Sequence, residues 1–290
     1  MEYLGNTFEK IAKEKAGIVK TGSCVVYSAN RQETARVIER KAKDVGALCK
    51  CVEKLENQDY SFVYKKIDFS FYSRYYGYIP IKLNTCAIYQ VENAKLALTA
   101  IEELGVEVSK EAIQRGMEIC KWEGRMEEIL PGVYLDGAHN EDGIEAFIES
   151  VKKDNCKTKR WLLFSVVADK EYSVMKEKLM KSGLFDDIYA APLNNVRGIG
   201  KKDLERIFAE NIVEKSDCGQ NKSGQSVWEE NLKNSKSCGI TENIKVRISD
   251  SACEGLQEIL SLKKEEDLVY VTGSLYLVGE IKEHFGGYND

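Results

Sequence analysis

The chain has 290 residues, 43% hydrophobic and 31% charged, which is the balance of a soluble globular protein with one large domain or two ordinary ones. Its 42 basic and 47 acidic residues leave a formal net charge of −5, without the basic excess that nucleic acid demands. No apolar run is long enough for a membrane span, and the start MEYLGNTFEK lacks the charged-then-apolar form of a secretory signal, so a cytoplasmic protein is expected.

The first elements read as an α/β piece. Asn6-Thr-Phe-Glu9 has the form of a capping box, and the helix it opens is closed by Gly17. A strand follows at 24–27, then a second capping-box pattern from Asn30 to Glu33 and a helix carrying Ala35, Ile38, Ala42 and Val45. Residues 60–90, rich in Tyr, Phe and Ile, read as several strands. Ala94, Ala97, Leu98, Ile101 and Leu104 have helical spacing with Gly105 as the stop, and Ser109 caps one more helix, to about Cys120.

From Val133 the pattern becomes regular. Strands at 133–136, 161–167, 187–191, 245–248 and 268–272 alternate with helices at 144–151, 171–181, 201–210 and 251–262 and a last helix. Such alternation predicts a mostly parallel sheet covered on both faces, with its ligand edge at the carboxyl ends of the strands. Residues 212–243 are polar and weakly patterned and read as a surface insertion, and the domain boundary is expected near Lys121–Arg125. The cysteines number nine and the histidines two, so scattered reduced thiols are expected rather than a zinc site.

Five positions carry candidate chemistry. Lys15 falls on the helical stripe of Phe8, Ile11 and Ala12. A lysine buried there would lose its proton or find a partner, and as a neutral amine it can form a carbamate, whose hard oxygens suit Mg²⁺. The other reading is a lysine that reaches the surface. Arg125, in Trp122-Glu-Gly-Arg-Met-Glu127, offers a guanidinium fork to phosphate or an interdomain salt bridge. Asp136 and His139 sit in Leu135-Asp-Gly-Ala-His-Asn140, directly after a strand, where a carboxylate can accept from ribose hydroxyls and an imidazole can touch phosphate. Turn and cap chemistry is the competing reading there. Ser165 to Lys170 and Thr272-Gly-Ser274 end two further strands at the same edge. Asn93, near a helix start, is a further polar candidate whose plainer roles are a cap or a buried amide.

Together these stretches resemble one family. EYLGNTFEKIAKEKAGIVK, YQVENAKLAL, WEGRMEEI, DGAHN and VTGSLYLVGEIK follow the order of motifs in the folylpolyglutamate synthases/dihydrofolate synthases of the Mur ligase family. The peptidoglycan Mur ligases share the DGAHN-like turn but not EKAGIVK together with GSLYLVGE. The resemblance implies an α/β protein with two parts. Residues 1–121 correspond to the remnant of a Mur-ligase central ATPase domain, and 122–290 to the Rossmann-like, mostly parallel C-terminal (glutamate ligase) domain. It implies an ATP-dependent ligase in which ATP phosphorylates a folate or dihydropteroate carboxylate and L-glutamate attacks the acyl phosphate, with Mg supporting the transfer. Carried over by residue, Lys15 is the carbamoylated lysine near the metal. Asn93, Arg125 and Asp136 contact ATP, and His139 is a neighbour on the phosphate or substrate side.

Two departures stand out. Glu141 follows DGAHN where the family usually has proline, and a Gly-rich loop resembling GTNGKGS is not found; Gly200-Lys-Lys lacks the following Ser or Thr. The expectation is therefore a chain that begins after the phosphate loop, is inactive alone, and meets a separate N-terminal fragment as partner. On this expectation it is a monomer, residues 1–120 fold poorly by themselves, and 125–290 fold independently. A non-catalytic remnant or weak nucleotide- or partner-binding module, and another Mur-type amino-acid ligase, are the alternatives.

Overall fold

The structure is a computed structural model that describes residues 7–28, 30–53, 59–62, 65–168, 172–195, 197–209 and 246–285. The chain divides between Met126 and Glu127 into two compact units. The expected insertion at 212–243 and the helix end at 210 lie outside the described residues. Among the described residues no helix is long and apolar enough to cross a membrane.

The first unit contains α1 (Phe8–Ala16), β1 (Cys24–Ser28), α2 (Gln32–Val45), β2 (Leu48–Val52), β3 (Tyr60–Phe62), β4 (Ile67–Ser73), β5 (Gly77–Leu83), α3 (Tyr89–Glu103) and α4 (Lys110–Ile119). β1 and β2 pair in parallel, as a strand–helix–strand crossover requires, and β3-β4-β5 form an antiparallel sheet. Strict alternation along β4 and β5 sends Ile67, Phe69, Phe71, Ile79, Ile81 and Leu83 to one face. There they pack on Val91, Ala94 and Leu98 of α3 and Ile113 of α4.

Two cap expectations shift. Thr7, not Asn6, caps α1, accepting from the Lys10 N–H at 3.2 Å, and Asn6 lies outside the described residues. Asn30 does not cap α2, whose cap residue Arg31 makes no side-chain cap bond. Its amide instead donates to both carboxylate oxygens of Glu92, at 2.7 and 2.8 Å, where the bonds are charge-assisted. Ser109 caps α4 as expected, accepting from the Ala112 N–H at 3.2 Å.

The second unit contains β6 (Glu127–Leu130), β7 (Val133–Leu135), α5 (Glu141–Val151), β8 (Arg160–Phe164), α6 (Tyr172–Lys181), β9 (Asp187–Ala190), α7 (Lys201–Ile207), β10 (Val246–Ile248), α8 (Ala252–Leu262), β11 (Leu268–Thr272) and α9 (Leu275–Phe285). One six-stranded sheet runs β10-β9-β8-β11-β7-β6, parallel throughout except for β6, which turns back on β7. From β7 the chain moves outward through β8, β9 and β10, then returns to lay β11 between β8 and β7. The order reverses there, and such a reversal opens a crevice outside the carboxyl ends of the strands.

The two faces of this sheet bury different residues. Val133, Leu135, Leu163, Val269 and Val271 pack with Leu256 and Ile259 of α8 and Leu277 and Ile281 of α9. The alternate positions Tyr134 and Tyr270 stack at 5.6 Å, and Phe147 of α5 and Phe185 meet Tyr270 edge-on. The Tyr270 O–H donates to Asp154 at 2.7 Å, and burial followed by that carboxylate's charge pushes the phenol far above its ordinary range. At the amino edge Asp267 is 2% exposed and accepts from the Lys264 N–H at 2.9 Å, the Lys159 N–H at 3.1 Å and the Trp161 indole at 3.2 Å. Burial alone would raise its pKa, but these donors outweigh burial and hold the carboxyl below the usual range.

Candidate active-site edge

Three turns meet where β7, β11 and β8 end. After β7, the Asp136 N–H continues the ladder by donating to the Val271 carbonyl at 2.9 Å. The Asp136 side chain is 2% exposed and its Oδ1 accepts the Ala138 N–H at 2.9 Å, which closes an Asx turn. His139 is half-buried, with Nδ1 2.8 Å from the Gly137 carbonyl. A carbonyl only accepts, so Nδ1 carries the proton in that bond and Nε2 is left for other partners. Asn140 then caps α5, accepting the Gly143 N–H at 2.8 Å. Turn and cap chemistry thus accounts for the bonds of these five residues, of which Asp136, Gly137 and Ala138 are buried, His139 half-buried and Asn140 exposed.

Glu141, the residue in place of the family's proline, opens α5 and forms an ion pair with Lys178 Nζ of α6 at 3.0 Å. Lys178 also pairs with Glu145. A carboxylate in the first turn suits the helix dipole, and here its charge is shared with a lysine.

After β11, Gly273 has φ +117° and donates its N–H to the Ala138 carbonyl at 3.0 Å. A Cβ there would stand 2.3 Å from the Ser165 carbonyl oxygen and 2.9 Å from the Phe164 ring. Only glycine fits. Ser274 is 2% exposed and its Oγ accepts the Tyr276 N–H at 3.1 Å, at the start of α9. After β8, the Ser165 N–H donates to the Thr272 carbonyl at 3.2 Å and its hydroxyl donates to the Ala191 carbonyl at 2.5 Å. These bonds stitch the turns after β7, β11, β8 and β9 into one rigid carboxyl edge.

Of the candidate residues, Asp136 and His139 come together at this edge. Lys15, Asn93 and Arg125 belong to the first unit. Lys15 is exposed on α1, contrary to its expected place within the apolar stripe. The buried face is set by Ala12 and Ala16, and Lys15 shares the margin with Phe8, itself 37% exposed and covered by the Arg31 guanidinium at 3.8 Å. Asn93 is neither a cap nor a buried amide. It is exposed in the second turn of α3 and donates to Gln90 at 2.7 Å. Arg125 is half-buried and donates to the Gly124 carbonyl at 3.1 Å, between Gly124 and Met126, both with positive φ. The sequence places Thr272-Gly-Ser274 at the end of a strand on this same edge, with an ordinary turn as the plainer alternative. The signal available for more was an apolar strand ending in a polar residue followed by glycine.

No cluster of three or more His, Cys, Asp or Glu side chains able to hold a metal ion occurs among the described residues.

An open, mostly parallel sheet with helices on both faces and a stitched carboxyl edge, in a chain that also carries another α/β unit, defines a Mur-ligase-like fold. Residues 125–284 match the family model described as the dihydrofolate synthetase C-terminal domain. The chain belongs to the dihydrofolate synthetase/folylpolyglutamate synthase family. It is 30% identical to the dihydrofolate synthase/folylpolyglutamate synthase of Bacillus subtilis, over 98% of this chain and 59% of that protein. With the Escherichia coli enzyme of the same description it is 25% identical, over 97% of this chain and 56% of that protein. Among solved structures, E. coli FolC in complex with DHPP and ADP superposes with a TM-score of 0.73 at 22% identity, covering 100% of this chain and 59% of the other. Mycobacterium tuberculosis folylpolyglutamate synthase complexed with ADP gives 0.78 at 19% identity, covering 99% and 61%. The chain thus spans less than two thirds of the length of these relatives.

Proposed function

We propose that this chain forms the nucleotide- and glutamate-side part of a cytoplasmic ATP-dependent ligase that joins L-glutamate to a folate or dihydropteroate through an acyl phosphate. The observation that carries the proposal is the stitched edge of Asp136, His139, Ser165 and Ser274 in a chain of this family. In this reading the first unit is the C-terminal part of the central ATPase domain and the second is the glutamate ligase domain. ADP bound to the E. coli and M. tuberculosis neighbours supports a nucleotide here.

Asp136 accepts from the sugar, and its Asx turn keeps the carboxylate from rotating away. His139, fixed by the Gly137 carbonyl, offers its other ring nitrogen toward the phosphate or substrate side. Arg125 supplies a planar fork for phosphate oxygens, and Asn93 a second polar contact to ATP. The carbamate role beside a metal would fall to Lys15 on the family resemblance alone, since its exposure on α1 removes the burial from which a neutral amine was argued. Pre-set donors of this kind act by positioning and by stabilising the transferring phosphoryl group.

Two assays test the proposal. Calorimetry with ADP on the 290-residue chain tests the nucleotide edge. ADP release is then measured with the chain joined to the family's upstream phosphate-loop segment. Release that requires both a folate or dihydropteroate and L-glutamate supports the reaction; release indifferent to glutamate refutes it. Turnover by the chain alone refutes the expectation that it needs such a segment.

A further inference from the structure

Thr272 ends β11 and is fully buried, at 0% exposure. Its hydroxyl oxygen has no hydrogen-bond partner among the described residues. Buried hydroxyls in folded proteins are nearly always bonded, because an unpaired one gives up its hydration for nothing. A valine would fill the same volume without that cost.

Strand register locates this hydroxyl. Val271 pairs with Leu135, and the Asp136 N–H extends the ladder to the Val271 carbonyl, so Thr272 and Asp136 are the next neighbours across the two strands. Thr272 stands two residues after Tyr270, and Asp136 two after Tyr134. The rings of those tyrosines stack on the α5 side of the sheet. Alternation therefore puts Thr272 and Asp136 on that same face, with Cβ atoms on the order of 5 Å apart. Gly273 locks the position from the other side, since its backbone is pinned between Ala138 and Ser165. A hydroxyl without a partner among the described residues thus stands beside a buried carboxylate of the edge, at the reversal of strand order where ligands of such sheets bind.

We infer that Thr272 is a further ligand-positioning residue: its hydroxyl takes a hydroxyl oxygen shared with Asp136, either from the nucleotide sugar or from an internal water. The inference rests on the nucleotide reading above and adds a residue to it. It also makes Thr272 a position held against stability, because the same hydroxyl is a cost when nothing occupies it.

The experiment uses the full chain with Thr272→Val, which keeps the shape and removes the hydroxyl, and Thr272→Ser, which keeps the hydroxyl. Thermal melts come first. Thr272→Val is expected to melt at or above wild type; a clear drop below both wild type and Thr272→Ser would show that the hydroxyl serves the fold and would overturn the inference. Millimolar ADP is then titrated by NMR, following amide shifts. Thr272→Val is expected to raise the ADP dissociation constant about tenfold, as loss of one good hydrogen bond does, with Thr272→Ser close to wild type. Equal affinity of Thr272→Val and wild type overturns the role of Thr272 alone. Absence of ADP shifts in wild type overturns the nucleotide reading and this role with it. Repeating the titration with 2′-deoxy- and 3′-deoxy-ADP separates the sources. If a sugar hydroxyl is bound, one deoxy nucleotide abolishes the difference between wild type and Thr272→Val; if water is bound, the difference persists with both.

Discussion

Replacing Gly273 with alanine should damage the second unit more than its single added methyl suggests. The backbone there has φ +117°, a region that L side chains rarely adopt. Holding a non-glycine residue in such a region costs about 1–3 kcal/mol. The new Cβ would also meet the Ser165 carbonyl oxygen at 2.3 Å and the Phe164 ring at 2.9 Å. The Ser165 backbone, held just past β8 by its bonds to Thr272 and Ala191, cannot swing aside as the end of a lysine can. Relief requires β11 and β8 to separate at their carboxyl ends, which strains the Ser165–Thr272 and Gly273–Ala138 hydrogen bonds. Overpacking of this kind costs about 1–3 kcal/mol, and each weakened bond about 1 kcal/mol. The expected loss is on the order of 4 kcal/mol, a large share of the ~5–15 kcal/mol that holds a typical domain together. Urea unfolding followed through Trp161, buried at 4% exposure in this unit, measures it. Gly279→Ala is the internal control, because Gly279 lies in α9 with nothing within 4 Å of a Cβ. It should be neutral or stabilising by up to about 1 kcal/mol. A loss below about 1 kcal/mol for Gly273→Ala would refute the close-approach argument.

Asp267→Asn should cost roughly 2–3 kcal/mol, since all three donors lose a charged acceptor and at least one of them then faces an amide NH₂ instead of an oxygen. The folded pKa of Asp267 is depressed, so its contribution is complete above about pH 4 and is lost as pH falls through the folded value; the variant should show a flatter stability profile below that pH. An unchanged acid limb would count against it. Glu141→Pro should change stability by less than about 1 kcal/mol, because proline suits the first helical position and the exposed pair with Lys178 is weak. A larger loss in chemical unfolding would mean that the pair anchors α5. Tyr270→Phe should cost only about 1 kcal/mol, because Asp154 keeps its bonds to Arg160; calorimetric melting that shows three times that loss would contradict the reading.

The second unit was legible because its strands are short apolar runs separated by amphipathic helices. β11 falls at 268–272, as its run LVYVT predicts, with covered faces on both sides. The strands that escaped detection are those lacking that signal. β2, Leu-Cys-Lys-Cys-Val, is exposed along four of its five residues, and β6 opens with two glutamates. Lys15 shows how periodicity misleads. Large apolar neighbours at helical spacing suggested a buried stripe, yet the small residues Ala12 and Ala16 define the packed face and the large ones sit at its margin. Asn30 fits a cap by pattern, but a cap needs its side-chain oxygen as acceptor, and the side chain is instead turned so that its NH₂ donates to Glu92, far along the chain. At the site, Asp136 and His139 were visible as a motif after a strand. The unbonded hydroxyl of Thr272 was not, since a missing partner exists only in three dimensions.

The placement of β11 has a consequence for how the unit is made. Among the described strands of this sheet, the one between β8 and β7 comes last in the chain, and it pairs with both. Until Leu268–Thr272 leaves the ribosome, β7 with β6 and β8 with β9 are separate fragments, each with a raw edge of unpaired amides and carbonyls. Such long-range closure slows folding and leaves a window in which a chaperone, or another nascent chain, competes for those edges.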